Sequence, residues 1–217
     1  MPVNDGGARS VTATARRAQI IAATIETVAE LGYGQASFAR IAERAGLSST
    51  RLISYHFAGK DELIQAVIAE VYGEMAAFMG ARMREVADPA GALAAYIRGV
   101  VAFVATHRTK MDALMSIFLG HAGEENGYSD RTAFAPLQEI LDAGKRSGHF
   151  RAFDSFVMAA TVQRSLDGLP FLLRTEPGLD LDAYAEELVT IFELATQARP
   201  ATQVVHAARP APRGEDA

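Results

Sequence analysis

Cysteine is absent from the 217 residues. That excludes a disulfide framework, a thiolate metal site and thiol-based redox sensing, and is compatible with a reducing compartment. No uninterrupted run approaches the roughly 20 apolar residues that cross a bilayer, and the opening MPVNDGGARSVTATARR has no apolar core of a secretory signal. A soluble, intracellular protein is expected. A Ser-centred nucleophile elbow, a glycine-rich phosphate loop and an HExxH pair are missing as well. What is left for an enzyme is thin: His121-x-x-Glu124 as two metal ligands, or His107 with Asp112 as acid and base. His121 and Glu124 fall in a polar stretch where solvated side chains are the ordinary outcome, so neither a catalytic nor a metal site is expected.

Hydrophobic residues make up 49% of the chain, enough for a substantial core. Charge is unevenly placed. Residues 1–60 carry seven Lys or Arg against four Asp or Glu, net +3, whereas the remainder carries 14 against 22, net −8. A basic end can attract phosphate and release counterions, while an acidic remainder discourages other surfaces from sticking to a polyanion.

The most telling segment is FARIAERAGLSSTRLISYHF, residues 38–57. Phe38, Ile41, Ala42 and Ala45 recur at helical spacing, with Arg40, Glu43 and Arg44 left to water. Gly46 follows at once, where a left-handed helix end favours glycine. Leu47 can enter the joint, and Ser48 or Ser49 can cap a second helix. In that helix Leu52, Ile53 and Phe57 are expected to anchor inward. Ser49, Thr50, Arg51, Ser54, Tyr55 and His56 then share the outward face and the helix ends. Such a helix, turn and polar-led second helix suits a major groove, although the same outline occurs in ordinary helical hairpins.

The chain resembles the tetracycline-repressor-like (TetR) family of one-component transcriptional regulators. Three segments carry the resemblance: RRAQIIAATIETVAELGYGQAS, AGLS, and SYHFAGKDELI. It covers residues 16 to about 70. The stretch from Gly46 to Phe57 is one residue longer than the family's commonest spacing, which leaves the register of the reading helix open. The resemblance implies that Tyr55, His56 and Lys60 contact or support the DNA backbone, that two subunits dimerise through their last two long helices, and that a small effector switches DNA affinity, usually to relieve repression. A twofold dimer fits a palindromic operator with half-sites about one helical turn, ~34 Å, apart. Ser37 is read as a helix cap that could also touch phosphate. Thr50 and Arg51 are the base readers of choice, since arginine can engage guanine with two hydrogen bonds.

The remainder reads as helices, giving an all-α chain. Residues 1–14 are expected to form a disordered arm in which Arg9, Arg16 and Arg17 could reach DNA; 15–60 a helix-turn-helix domain; 61–198 a helical effector-binding and dimerisation domain; and 199–217 a disordered tail. A helix from about 15 to 32 buries Ile20, Ile21, Thr24, Ile25 and Val28. Another begins near Lys60. Beyond Asp88-Pro89, residues 90–106 are apolar on all sides and belong mid-domain. HAGEENGYSD is a surface loop, and Gly168 and Pro170 interrupt a helix spanning 154–174. Polar residues within apolar helices are costly unless bonded, which nominates His107, Asp112, His121, Gln163, Arg164 and Asp167 for an effector site. Its walls would come from Tyr96, Phe103, Met111, Met115, Phe118 and Phe171. Met and Phe suggest an adaptable, lipophilic pocket, though residues at this spacing also simply fill cores, and Arg164 with Asp167 could be a plain i, i+3 pair. No cofactor is expected beyond that effector, and the partners are operator DNA and a second copy. The alternatives are a helical protein-interaction adaptor and an enzyme.

Overall fold

The computed structural model describes residues 6–84, 86–120 and 130–198. Its elements run α1 (Gly6–Leu31), a 3₁₀ turn (Tyr33–Gln35), α2 (Phe38–Arg44), α3 (Arg51–His56), α4 (Lys60–Met83), α5 (Pro89–Thr106), α6 (Arg108–Gly120), α7 (Asp130–Arg146), α8 (Ser155–Asp167), α9 (Leu169–Thr175) and α10 (Leu181–Thr196). Among the described residues, extended pairing is limited to one bridge between Phe150 and Gln197. The fold is all-α, a small N-terminal helix-turn-helix head on a larger helical body.

The apolar face expected of α1 is buried in full: Ile20, Ile21, Ile25 and Val28, with the Thr24 hydroxyl donating to the Ile20 carbonyl (2.7 Å). The helix starts at Gly6 rather than near 15. Extending a formed helix adds one bond per residue fixed, a far lower cost than nucleation. The side chain of Arg9 lies outside the described residues, as do 199–217.

Two of the joints follow directly from sequence. Gly46 has φ +63, its N–H reaches the Glu43 carbonyl (3.0 Å), and the Leu47 N–H reaches that of Ala42 (2.8 Å), which is the paired bonding of a Schellman end. Asp88 accepts the Gly91 N–H (2.8 Å) ahead of Pro89, so α5 begins with its first turn capped and no N–H wasted on proline.

Helix α5 is the axis of the body. Its Leu93, Ile97, Val100, Val101, Phe103 and Val104 are buried, and α4, α7 and α10 pack around it. By length and composition α4 and α5 are each apolar enough to cross a bilayer, although scattered polar residues break both into short apolar runs. In the fold, α5 directs its apolar surface to neighbouring helices. The expected long helix at 154–174 is split at Gly168 into α8 and α9, with Pro170 in the first turn of α9, where its missing N–H costs nothing.

Candidate nucleic-acid interface and ligand cavity

In the head, α2 begins at Ser37, whose Oγ accepts the Arg40 N–H (3.4 Å). Thr50 occupies the cap position of α3 without a side-chain bond, while the neighbouring Ser49 Oγ accepts the Arg51 N–H (3.0 Å). Only Ile53 and Phe57 of the predicted anchors are buried. Leu52 is instead 36% exposed, because positions 53 and 57 define the inward face of a six-residue helix and 52 lies about 100° away from 53.

The exposed residues are Ser48, Ser49, Thr50, Arg51, Leu52, Ser54 and Tyr55, the last at 81%. His56 is half-buried, with its ring edge-on to that of Tyr55 (5.1 Å). Most cations of the head are occupied within the protein. Arg17 donates to the His56 carbonyl (2.8 Å), sits 4.1 Å over the Phe57 ring and pairs with Glu62 (3.5 Å). It is therefore an internal clasp and not the extended arm expected of it. Arg16 bonds Gln19 (2.7 Å), Arg40 bonds Gln35 (3.0 Å), and Arg44 pairs with Glu26 and Glu30. Among the described side chains of the head, the Arg51 guanidinium is the one cation without a partner.

Lys60 is also engaged. Its Nζ donates to the Tyr33 carbonyl (3.0 Å) and lies 4.1 Å above that ring. Burial there pushes its ammonium below the usual lysine range, with Asp61 acting the other way. The same Tyr33 is held from the body: its N–H donates to Ser116 Oγ (2.9 Å), and its ring lies so close to Gly120 that a Cβ there would overlap Cδ1 and sit 3.0 Å from Cγ. Helix α6 packs along α1, a contact between head and body whose one trace in the sequence is the glycine at 120.

The opposite side of α6 borders a cavity of about 360 Å³ lined by Tyr72, Met115, Phe118, Leu119, Arg164, Asp167, Gly168 and Phe171. Met115, Phe118, Arg164, Asp167 and Phe171 are among the residues that the sequence nominates; Tyr72 and Leu119 are not, and only a helical-wheel pairing of α4 with α6 points to them. Behind the wall runs a polar chain. The Tyr96 hydroxyl donates to Gln163 Oε1 (2.8 Å), Gln163 Nε2 donates to Asp167 Oδ1 (2.8 Å), and Arg164 bonds Asp167 Oδ2 (2.8 Å). Tyr96 and Gln163 therefore support the lining without forming it. Phe103 and His107 lie elsewhere, stacked on each other at 4.1 Å, with Phe103 fully buried. Met111 and Asp112 border a smaller void of about 70 Å³, where Asp112 meets Arg174 (3.4 Å). His121 and Glu124 lie outside the described residues, and no metal-binding cluster is present among the rest.

An exposed two-helix reader on a helical body with an apolar cavity defines a helix-turn-helix DNA-binding protein. Residues 20–67 match the family described as "Bacterial regulatory proteins, tetR family". The HTH-type transcriptional regulator BetI of Cronobacter sakazakii is 26% identical over 186 residues, covering 80% of this chain and 91% of that protein. BetI 1 of Chromohalobacter salexigens is 42% identical over 60 residues, which span 28% of this chain and only 29% of that protein. Among solved structures, a tetR-family regulatory protein from Rhodococcus RHA1 superposes with TM-score 0.72 at 19% identity, over 85% of this chain and 98% of that one. The fatty acid degradation regulator FadR from Bacillus halodurans also gives 0.72, at 21% identity over 81% and 97%. Residues 20–67 carry the DNA-binding domain of the tetR family, and over most of its length the chain is similar to DNA-binding transcriptional regulators of that family.

Proposed function

We propose that the protein is a cytoplasmic repressor that binds a palindromic operator as a homodimer and leaves it when a small lipophilic effector enters the cavity beside α6. The observation that carries this reading is the double role of α6: Met115, Phe118 and Leu119 face the cavity, while Ser116 and Gly120 grip Tyr33 of the head. A ligand that prefers a displaced α6 has a direct mechanical route to the reading heads, and differential affinity for the two placements is all that an allosteric effector requires. Helix α4, which supplies both Lys60 and Tyr72, is a second route.

Dimerisation is supported by the outer faces of α8 and α10, where Val157, Ile191 and Leu194 are exposed. Isolated surface apolar residues are ordinary, but three on two adjacent helices suit a second copy of the same face. Operator contacts are assigned to Ser37, Ser48, Ser49, Thr50, Arg51, Ser54, Tyr55 and His56, with Lys60 as a support behind them. For the effector, the apolar lining and the Arg164 guanidinium at its edge favour an amphipathic molecule. The Bacillus halodurans neighbour is named for fatty acid degradation, so fatty acids are the first probe.

The test is fluorescence anisotropy on duplexes tiling the DNA upstream of the protein's own gene, against random duplex, at two salt concentrations. Saturable binding of two subunits to one tile, weakened about 5- to 150-fold by a bound effector, is the expected result. Operator affinity indifferent to every ligand that the protein binds would sink the release mechanism.

A further inference from the structure

Leu52 is out of place in the usual economy of a short helix. Its α3 neighbours Ile53 and Phe57 are 0% and 1% exposed, whereas Leu52 projects beside the unpartnered Arg51 and near the highly exposed Tyr55. Within the head, Ile20 of α1, Ile41 of α2, Ile53 of α3, Phe57 just beyond it and Leu63 of α4 already seal the core, so stability does not require an apolar side chain at 52. An apolar group there is useful when the surface facing α3 is itself partly apolar. The major groove offers one such feature, the 5-methyl group of thymine, which distinguishes T·A from the other pairs by contact with an apolar side chain.

We infer that Leu52 is a specificity-determining residue that packs on a thymine methyl in each operator half-site, next to the base pair engaged by Arg51. This rests on the operator-binding reading above. Arg51 and Leu52 are consecutive on α3, so their side chains diverge by about 100° around the helix and address neighbouring base pairs or opposite strands. The half-site should therefore contain a G·C pair with a T·A pair within a step or two of it. Tyr55, one turn beyond Arg51, is free to reach the flanking backbone.

The experiment begins with the full-length protein and selection of bound duplexes from a random library, followed by replacement of each thymine of the selected half-site with deoxyuridine, which removes only the methyl. One thymine per half-site should weaken wild-type binding by roughly four-fold, the worth of one buried methyl. In Leu52→Ala the same replacement should have no effect, and a cooperative thermal unfolding transition with wild-type helix content shows that the variant is folded. Leu52→Met, which keeps an apolar side chain, should retain most of the methyl dependence. A methyl effect that persists undiminished in Leu52→Ala, or no methyl-sensitive thymine at all, overturns the inference while leaving DNA binding intact. Failure to enrich any duplex would overturn the operator reading itself, and this inference with it.

Discussion

Lys60 and Tyr33 form a two-point contact across the base of the head, with the ammonium donating to the Tyr33 carbonyl (3.0 Å) while resting 4.1 Å from the centre of the same ring. The resemblance of SYHFAGKDELI to its family implied a DNA contact or a support at this lysine, and the geometry favours the support. Lys60→Met should lower thermal stability by about 1–2 kcal/mol, from one hydrogen bond and one partly desolvated cation–π contact. The salt dependence of DNA binding should stay the same. A salt slope reduced by about one would instead place the ammonium on a phosphate.

Against the same side chain, Gly120→Ala introduces a methyl where Tyr33 already stands. Overpacking of this kind costs about 1–3 kcal/mol, and the melting temperature should fall by several degrees. Combining it with Tyr33→Ala should recover much of the loss, so the pair is best measured as a double-mutant cycle. Additive losses would show that Gly120 and Tyr33 do not meet.

Arg51→Ala removes the head cation that has no partner within the protein. Operator affinity should drop about 10- to 100-fold, the worth of a bidentate guanine contact, with a smaller loss on random duplex. Competition titrations on both DNAs measure the difference. Equal losses would make Arg51 a phosphate contact.

Leu194→Glu places a charge on the outer face of α10, where the leucine is 68% exposed and plays little part in the fold of one subunit. Thermal unfolding of the isolated subunit should hardly change, whereas sedimentation should shift from dimer to monomer and two-headed operator binding should disappear. An unchanged dimer would move the interface elsewhere.

Arg98 and Glu186 join α5 to α10 through two parallel hydrogen bonds (2.6 and 2.7 Å). The guanidinium, chiefly through its hydrogen bond, holds the Glu186 carboxyl below the usual range. Since the folded state binds this proton less readily than the unfolded one, the contribution is present above the ordinary glutamate pKa and is lost as pH falls through the lowered value. Asp142 has the same sign, from the Ser155 hydroxyl (2.5 Å) first and Lys145 next. Melting curves from pH 7 to 2 should therefore show a shallower acid limb in Glu186→Gln than in wild type. Identical limbs would mean that solvent screens the pair completely.

The helices were legible because helical period and end signals agree along most of the chain. Gly46, Asp88-Pro89 and Gly168 each mark a real boundary, and Ile41, Ile53 and Phe57 fall inside as their spacing requires. Hydrophobicity alone sends Leu52 inward, whereas a helix of six residues has room for few inward positions and leaves it outside. Arg17 is illegible for a related reason: a cation early in the chain reads as solvated until the fold brings the Phe57 ring and the His56 carbonyl beneath it. The cavity was half legible. Met115, Phe118 and Phe171 announce themselves by chemistry, but Phe103 has the same chemistry and is buried elsewhere, stacked on the half-buried His107, since which face of α5 meets α6 is decided by packing between helices and not by either helix alone.

Because α6 lends one side to the cavity and the other to Tyr33, its sequence cannot be retuned for a new ligand without disturbing how the head is held. The α8 and α9 side carries no such double duty: Arg164, Asp167 and Phe171 touch the cavity but are remote in the chain from the reading helices. Under the proposed release mechanism, changes of ligand preference, whether in descendants of this protein or in a laboratory sensor built from it, have their freest ground on that wall, while substitutions at Met115, Phe118 or Leu119 would alter both what is sensed and how strongly the sensing is obeyed.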